Sequence, residues 1–266
     1  MIRYRRLVAR AVALALICGA PMAVARAQET GATTGDGQPF DPDNLPPVSY
    51  PALAETADTM FDFIPEGWVM ESHEQGDLNN DGKDDFAAIL RMRDPANMVS
   101  DPWLGEPLDT NPRILLVAFR EGEGLFRRVV ANHVLIPRRD NPMQEDPLRE
   151  IAIKRGVLTL TLENFMNAGG WGTWNATYAF RWQAPHFVLI GYDRHYLARN
   201  SGESEDISVN YLTHRRKTVK GRIDEAGEAV SWRMEPRRAP ITLEGIGDAM
   251  QWHPDYPDGY PDGNAP

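Results

Sequence analysis

The chain has 266 residues, 28 basic and 38 acidic side chains, a formal net charge of −10 and a single cysteine. That length holds one large domain, or one domain with tails. The acidic balance excludes a protein that works by attracting nucleic acid or anionic lipid head groups, and no segment after the N-terminal stretch approaches the roughly 18 apolar residues of a membrane span.

Residues 1–27 read as a secretory signal. Arg3, Arg5, Arg6 and Arg10 make a basic start, residues 12–18 are apolar, and Ala25-Arg26-Ala27 offers small residues at the two positions a signal peptidase reads, so cleavage is expected after Ala27. Arg5-Arg6 is a weaker twin-arginine pattern, because only Leu7 and Val8 follow as apolar residues. Cys18 follows the bulky Ile17, where a lipoprotein signal wants a small residue, so it is expected to leave with the signal. Five arginines (3, 5, 6, 10 and 26) and no acid leave with it, giving 28 minus 5, or 23, basic residues against 38 acidic ones and a balance of −15. The mature chain then has no cysteine, and stability must come from core burial and metal. This pattern predicts a bacterial periplasmic or secreted protein.

Residues 28–51 are rich in Gly, Thr, Asp and Pro and read as a disordered linker. Residues 52–248 read as one β-rich domain. It opens with a predicted short helix over 52–61, where Leu53, Ala57, Met60 and Phe61 share a face. Four hairpins follow. Strands at 113–119 and 126–134 flank Glu121-Gly122-Glu123-Gly124, and strands at 151–154 and 157–162 flank Arg155-Gly156. Strands at 177–182 and 187–192 flank residues 183–186, and strands at 207–212 and 218–223 flank residues 214–217. An edge strand is expected at 230–234. Alternation at Leu158, Leu160 and Leu162, and at Tyr178, Phe180 and Trp182, gives one buried face. The fold class is therefore mainly β: an antiparallel meander of hairpins, as sandwich, barrel or partial propeller, with one short N-terminal helix. Residues 249–266, ending in a YPDG-type repeat, read as a solvated Pro/Asp/Gly-rich tail, with a second cation-binding segment as the alternative.

The strongest local pattern is residues 77–85, D-L-N-N-D-G-K-D-D. Oxygen-bearing side chains recur at Asp77, Asn79 and Asp81, and again at Asp85, while Gly82 permits a sharp turn. The backbone carbonyl of Lys83 supplies a further oxygen. Three carboxylates leave such a shell near −1 around a divalent ion, and the ligand type selects calcium over soft metals. A helix-loop-helix hand would need Glu at the twelfth position, which holds Ala88. The loop instead enters the strand-like Phe86-Ala87-Ala88-Ile89-Leu90, so a structural calcium role is expected rather than a catalytic one.

The run G-D-L-N-N-D-G-K-D-D-F-A-A-I-L resembles the loop-strand units of integrin-type FG-GAP and VCBS repeats. More of the chain, about 63 to 213, is similar to a group of uncharacterised bacterial exported proteins carrying one such unit. The matching pieces are Phe63-Ile64-Pro65-Glu66-Gly67-Trp68, the loop, Arg113-Ile114-Leu115-Leu116, Gly169-Gly170-Trp171, Phe180-Arg181-Trp182, residues 187–192 (FVLIGY) and Asn210-Tyr211-Leu212-Thr213. The resemblance implies a β-rich exported domain and brings no known activity. It assigns the loop positions as calcium ligands.

Trp171 and Trp174 lie off the strand period, after Gly169-Gly170, and are the candidates for an exposed aromatic surface that stacks sugar rings. His73-Glu74 reads as an exposed turn. The basic spots Arg138-Arg139, residues 214–217 and Arg237-Arg238 read as solvated turns. The sequence has no G-x-S-x-G, no H-E-x-x-H and no phosphate-binding glycine loop. The expectation is a non-enzymatic binding or structural module of the bacterial envelope, with a glycan or envelope protein as partner. The alternative is an envelope glycan hydrolase with acids converging near Trp171 and Trp174.

Overall fold

The structure, a computed structural model, describes residues 45–99, 107–122 and 124–258. The expected signal segment and residues 28–44 of the expected linker lie outside the described residues, as do residues 259–266.

Two antiparallel sheets carry the fold. The first has five strands: β1 (Thr56–Ala57), β2 (Trp68–Gly76), β3 (Asp85–Met92), β6 (Arg113–Glu121) and β7 (Leu125–Asn132), in the order β1-β7-β6-β3-β2. Between β3 and β6, β4 (Met98–Val99) and β5 (Leu108–Asp109) form a small separate ribbon. The second sheet has seven strands: β8 (Leu148–Lys154), β9 (Val157–Asn164), β10 (Gly172–Gln183), β11 (His186–Ala198), β12 (Glu203–Asn210), β13 (Arg215–Arg222) and β14 (Ala229–Met234). They lie in sequence order across the sheet.

Why β3 and β6 are continuous apolar runs is now visible. Phe86, Ala88 and Leu90, with Ile114, Leu116 and Ala118, face one cluster that Leu53, Phe63 and Trp68 cover. Ala87 and Ile89, with Leu115, Val117 and Phe119, face the other way, into the core shared with the seven-stranded sheet. A strand covered on both faces has no polar side to alternate with. β9 and β10 instead alternate: Leu158, Leu160, Leu162, Ala176, Tyr178 and Phe180 point into the shared core. The architecture is thus two sheets packed face to face around one core.

The turn at Arg155-Gly156 is as expected, with both residues at positive φ (53° and 73°) in a two-residue hairpin. The fourth hairpin turns earlier than expected, between Asn210 and Arg215, because the Asn210 side chain accepts the Thr213 N–H at 2.9 Å.

Three expectations change. The helix expected over 52–61 does not form. That stretch holds β1 and leads into a 3₁₀ turn at Met60–Phe63. Extended chain at Thr56 and Ala57 satisfies the free edge of β7, and ten residues make a marginal helix on propensity alone. Residues 45–51 of the expected linker are docked: Arg138 Nη1 donates to the Pro46 carbonyl at 2.7 Å, and Tyr50 stacks on His133 with ring centroids 4.2 Å apart.

The third change is at the C-terminus. Ala249, Met250 and Trp252 are buried in the shared core, together with Leu243 and Ile246. Residues 241–243 extend the seven-stranded sheet beside the start of β11, with Leu189 N–H donating to the Ile241 carbonyl and Leu243 N–H to the Phe187 carbonyl, both at 2.8 Å. The Tyr178 hydroxyl donates to the Ala249 carbonyl at 2.6 Å. A segment without secondary structure can still fill a core when its apolar side chains face inward.

Candidate functional site

The acidic loop joins β2 to β3 and is organised by its own side chains. Asp81 N–H donates to Asp77 Oδ1 at 3.1 Å and to Asn79 Oδ1 at 2.8 Å, while Gly82 N–H donates to Asp77 Oδ2 at 2.9 Å. Asn80 (φ 62°) and Gly82 (φ 85°) are left-handed, which turns the chain sharply around these oxygens. Asp77 and Asn79 are half-buried, and Asp81 is exposed.

Asp85 behaves differently. Its carboxylate is buried, and both oxygens accept backbone N–H groups, from Leu78 and from Arg120, each at 2.9 Å. Burial, opposed by those two bonds, raises its pKa. Lys83 is exposed; its ammonium lies 3.7 Å from Asp81 Oδ2. The oxygens of Asp77 and Asn79 therefore meet at the Asp81 N–H, the Asp81 carboxylate accepts the Lys83 N–H at 2.9 Å, and Asp85 ties the turn to the sheet. Among the described residues, no three His, Cys, Asp or Glu side chains form a group that could hold a metal ion. The side-chain oxygens left to the loop itself are those of Asp77, Asn79 and Asp81, with Asp85 committed to the sheet.

The tryptophan pair separates. Trp171 is 66% exposed, as expected; Trp174 is only 3% exposed, against expectation. Trp174 opens the inward-facing register of β10, two residues before Ala176 and four before Tyr178, so it belongs to the core face. Both still border one cleft of about 590 Å³, within the size range of small-molecule sites. Its walls include Trp171, Trp174, Tyr196, Gln144, Asn164 and Gln251, with Asp140 and Asp248 among its acids.

The Trp171 wall is held from behind. Arg199 Nη2 donates to the carbonyls of Met166 and Gly170 at 2.6 and 2.7 Å, its backbone N–H bonds the Trp171 carbonyl at 2.8 Å, and its guanidinium sits 4.7 Å from the Phe165 ring centroid. Gly170 packs so close to Met166 that an added Cβ would lie 3.2 Å from it. Asp248, which also lines the cleft, accepts the Met250 N–H at 2.8 Å. Burial, with a smaller push from Asp140, lifts its carboxyl to about 6 despite that bond. Neither Asp140 nor Asp248 stood out in the sequence; the two are brought near each other only because the C-terminal segment folds back over the core.

Two of the basic spots are structural rather than solvated. Arg138 donates to the Thr110 and Pro46 carbonyls and to Asn97 Oδ1. Arg216 is buried and forms a two-pronged pair with Asp255 at 2.7 and 2.8 Å. Burial works against the Asp255 charge, yet the bonds from Arg216 and Arg233 hold its pKa down to about 2. Burial beside Arg194 lowers His253 to about 4. His73 and Glu74 are exposed on β2.

Among the described residues no helix is long and apolar enough to cross a membrane. Comparison of the chain with family models, with curated proteins and with solved structures gives no match.

Proposed function

We propose that the protein is an exported, non-enzymatic binding or structural module of the bacterial envelope, braced by one calcium ion at the 77–85 loop. The observation that carries the reading is the wrapping of that loop: two side-chain oxygens, from Asp77 and Asn79, converge on the Asp81 N–H, and a left-handed glycine follows. Loops of this form hold a hard cation through alternate side chains and one backbone carbonyl. Asp77, Asn79, Asp81 and the Lys83 carbonyl are the ligands in this reading, with Asp85 closing the loop against β6. The basic and apolar composition of residues 1–27 supports export, and the likeness of residues 76–90 to single FG-GAP/VCBS-type units supports the calcium assignment. The ion rigidifies the β2–β3 connection, and the cleft beside Trp171 is the binding face. The test is a calcium titration followed by melting: a saturable rise in melting temperature, absent in Asp77→Ala with Asp81→Ala, supports the brace.

A second reading is favoured by one observation. Asp248 stands in the cleft with its carboxyl raised to about 6 and Asp140 nearby, beside an exposed tryptophan. A raised carboxylic acid paired with a second carboxylate is the pattern of a glycan hydrolase. Release of new reducing ends from an envelope glycan, lost in Asp248→Asn, would establish it; binding without release favours the module.

A further inference from the structure

We infer that the cleft between the Trp171 loop and the C-terminal segment is a binding site for a neutral saccharide, with Trp171 as the stacking platform. The inference rests on the reading of the protein as a binding module and assigns the class of its ligand. A pyranose ring has an apolar face of C–H groups and a rim of hydroxyls. It therefore needs a flat aromatic surface, plus donors and acceptors at the edge. The cleft supplies both. Trp171 presents its ring to solvent from a loop that Arg199 fixes through three hydrogen bonds. Preorganisation of this kind lowers the ordering cost of binding. The polar lining is rich in amides, Asn141, Gln144, Asn164 and Gln251, which both donate and accept.

Two residues that line this space carry a buried polar atom without a partner. Trp174 Nε1 is an unpaired donor on a side chain that is 3% exposed, and Gln251 Oε1 is an unpaired acceptor. A buried polar atom without a partner carries a free-energy cost that a hydroxyl can relieve, since it both donates and accepts. Both atoms are covered in this conformation.

The charges argue against other classes. A cationic ligand would find two of the three aromatic faces taken, since the Arg194 guanidinium lies 5.3 Å from the Trp174 ring centroid and 5.2 Å from that of Tyr196; Trp171 alone is left open, which is why hexalysine is the competing probe. An anionic ligand would meet Asp140 and Asp248, while Arg138, the arginine that lines the cleft, is committed to two carbonyls and an amide oxygen.

The test titrates the full chain with cellohexaose, chitohexaose and maltohexaose, and separately with hexalysine and polygalacturonate, by calorimetry and tryptophan fluorescence. We expect at least one neutral oligosaccharide to bind. Trp171→Ala should weaken it by roughly tenfold at an unchanged melting temperature, because this side chain is exposed. Trp174→Phe, which keeps a ring and removes the donor, should weaken it less. Absence of neutral saccharide binding, exclusive binding of hexalysine or polygalacturonate, or saccharide binding indifferent to Trp171→Ala would each overturn the inference. Calcium melting curves on the same samples keep the two readings apart: an intact calcium response without saccharide binding sinks the ligand class alone. Trp171-dependent binding of hexalysine likewise keeps the binding module and sinks the saccharide.

Discussion

The carboxylate of Asp85 accepts the backbone N–H of Arg120 at 2.9 Å, tying the acidic loop to the neighbouring strand β6. The same carboxylate accepts the Leu78 N–H at 2.9 Å, so one buried side chain closes the loop on itself and anchors it to the sheet. The loop's acids thus divide by role, and the division has a measurable consequence. Asp85→Ala leaves two N–H groups without their acceptor, a loss of roughly 2–6 kcal/mol at about 1–3 kcal/mol for each. This loss should appear in chemical denaturation with or without calcium. Asp77→Ala, which removes a half-buried cap on the loop, should cost only about 1 kcal/mol in chelator.

Arg113 is the polar fastener between the sheets. It is buried on β6 and forms two-pronged pairs with Glu71 of β2, at 2.6 and 2.8 Å, and with Asp146 just before β8, at 3.0 and 2.6 Å. Burial disfavours its charge, but the two carboxylates overcome this and raise its pKa. Asp146 is held below the usual carboxylate range: burial opposes its charge and Arg113 wins. Arg113→Ala removes a buried guanidinium and leaves two partly exposed carboxylates without it, and should destabilise by about 1–3 kcal/mol. Arg113→Lys should recover only part, because an ammonium cannot make the paired forks. Denaturant midpoints at neutral pH decide this.

Asp248 and His253 give opposite pH dependences in nearly the same window. Asp248 is raised to about 6, so between about 4 and 6 the folded state holds a proton the unfolded chain has released, and stability falls as pH rises. His253 is lowered to about 4 from 6.5, so its contribution is complete above 6.5 and is lost as pH falls toward 4. In the native chain the two slopes oppose each other. Asp248→Asn should expose the His253 slope, with stability dropping on acidification from 6.5 to 4. His253→Asn should expose the other, with stability rising on acidification from 6 to 4. At pH 7, Asp248→Asn should be more stable than the native chain, by on the order of 1–3 kcal/mol. Melting temperatures across pH 4–7 for the three proteins test both signs.

Trp252 packs against Tyr178 and Tyr192, with ring centroids 5.8 and 5.3 Å apart. If residues 249–254 were solvated, Trp252→Ala would be silent. The structure instead predicts a loss of about 3–5 kcal/mol, read as a shift in denaturant midpoint without a change in slope.

The hairpins were legible because turn chemistry is local. Arg155-Gly156 announces itself by a glycine between two β-branched and leucine-rich runs, and the alternation of Leu158, Leu160 and Leu162 fixes which face is buried. What escaped the sequence was non-local. The period of residues 52–61 suits a helix, but the unpaired edge of β7 captures it as strand. Trp174 was set apart from the Tyr178 period as part of the loop after Gly169-Gly170, yet β10 begins at Gly172 and its extended register carries both inward. The cleft acids lie 108 positions apart, at Asp140 and Asp248, and nothing in either neighbourhood marks them as a pair. The oxygen spacing of the 77–85 loop was local and visible; the anchoring of Asp85 to Arg120 depends on β3 lying beside β6.

The measurement that bears most directly on the calcium brace is the melting temperature of the native chain in calcium and in chelator, beside Asp77→Ala with Asp81→Ala. At calcium a hundredfold above the dissociation constant, binding adds ~2.7 kcal/mol, a rise of roughly 5–10 °C for a domain of this size. A calcium-braced loop gives that rise in the native chain and none in the double variant. Superimposable native curves with and without calcium would contradict it.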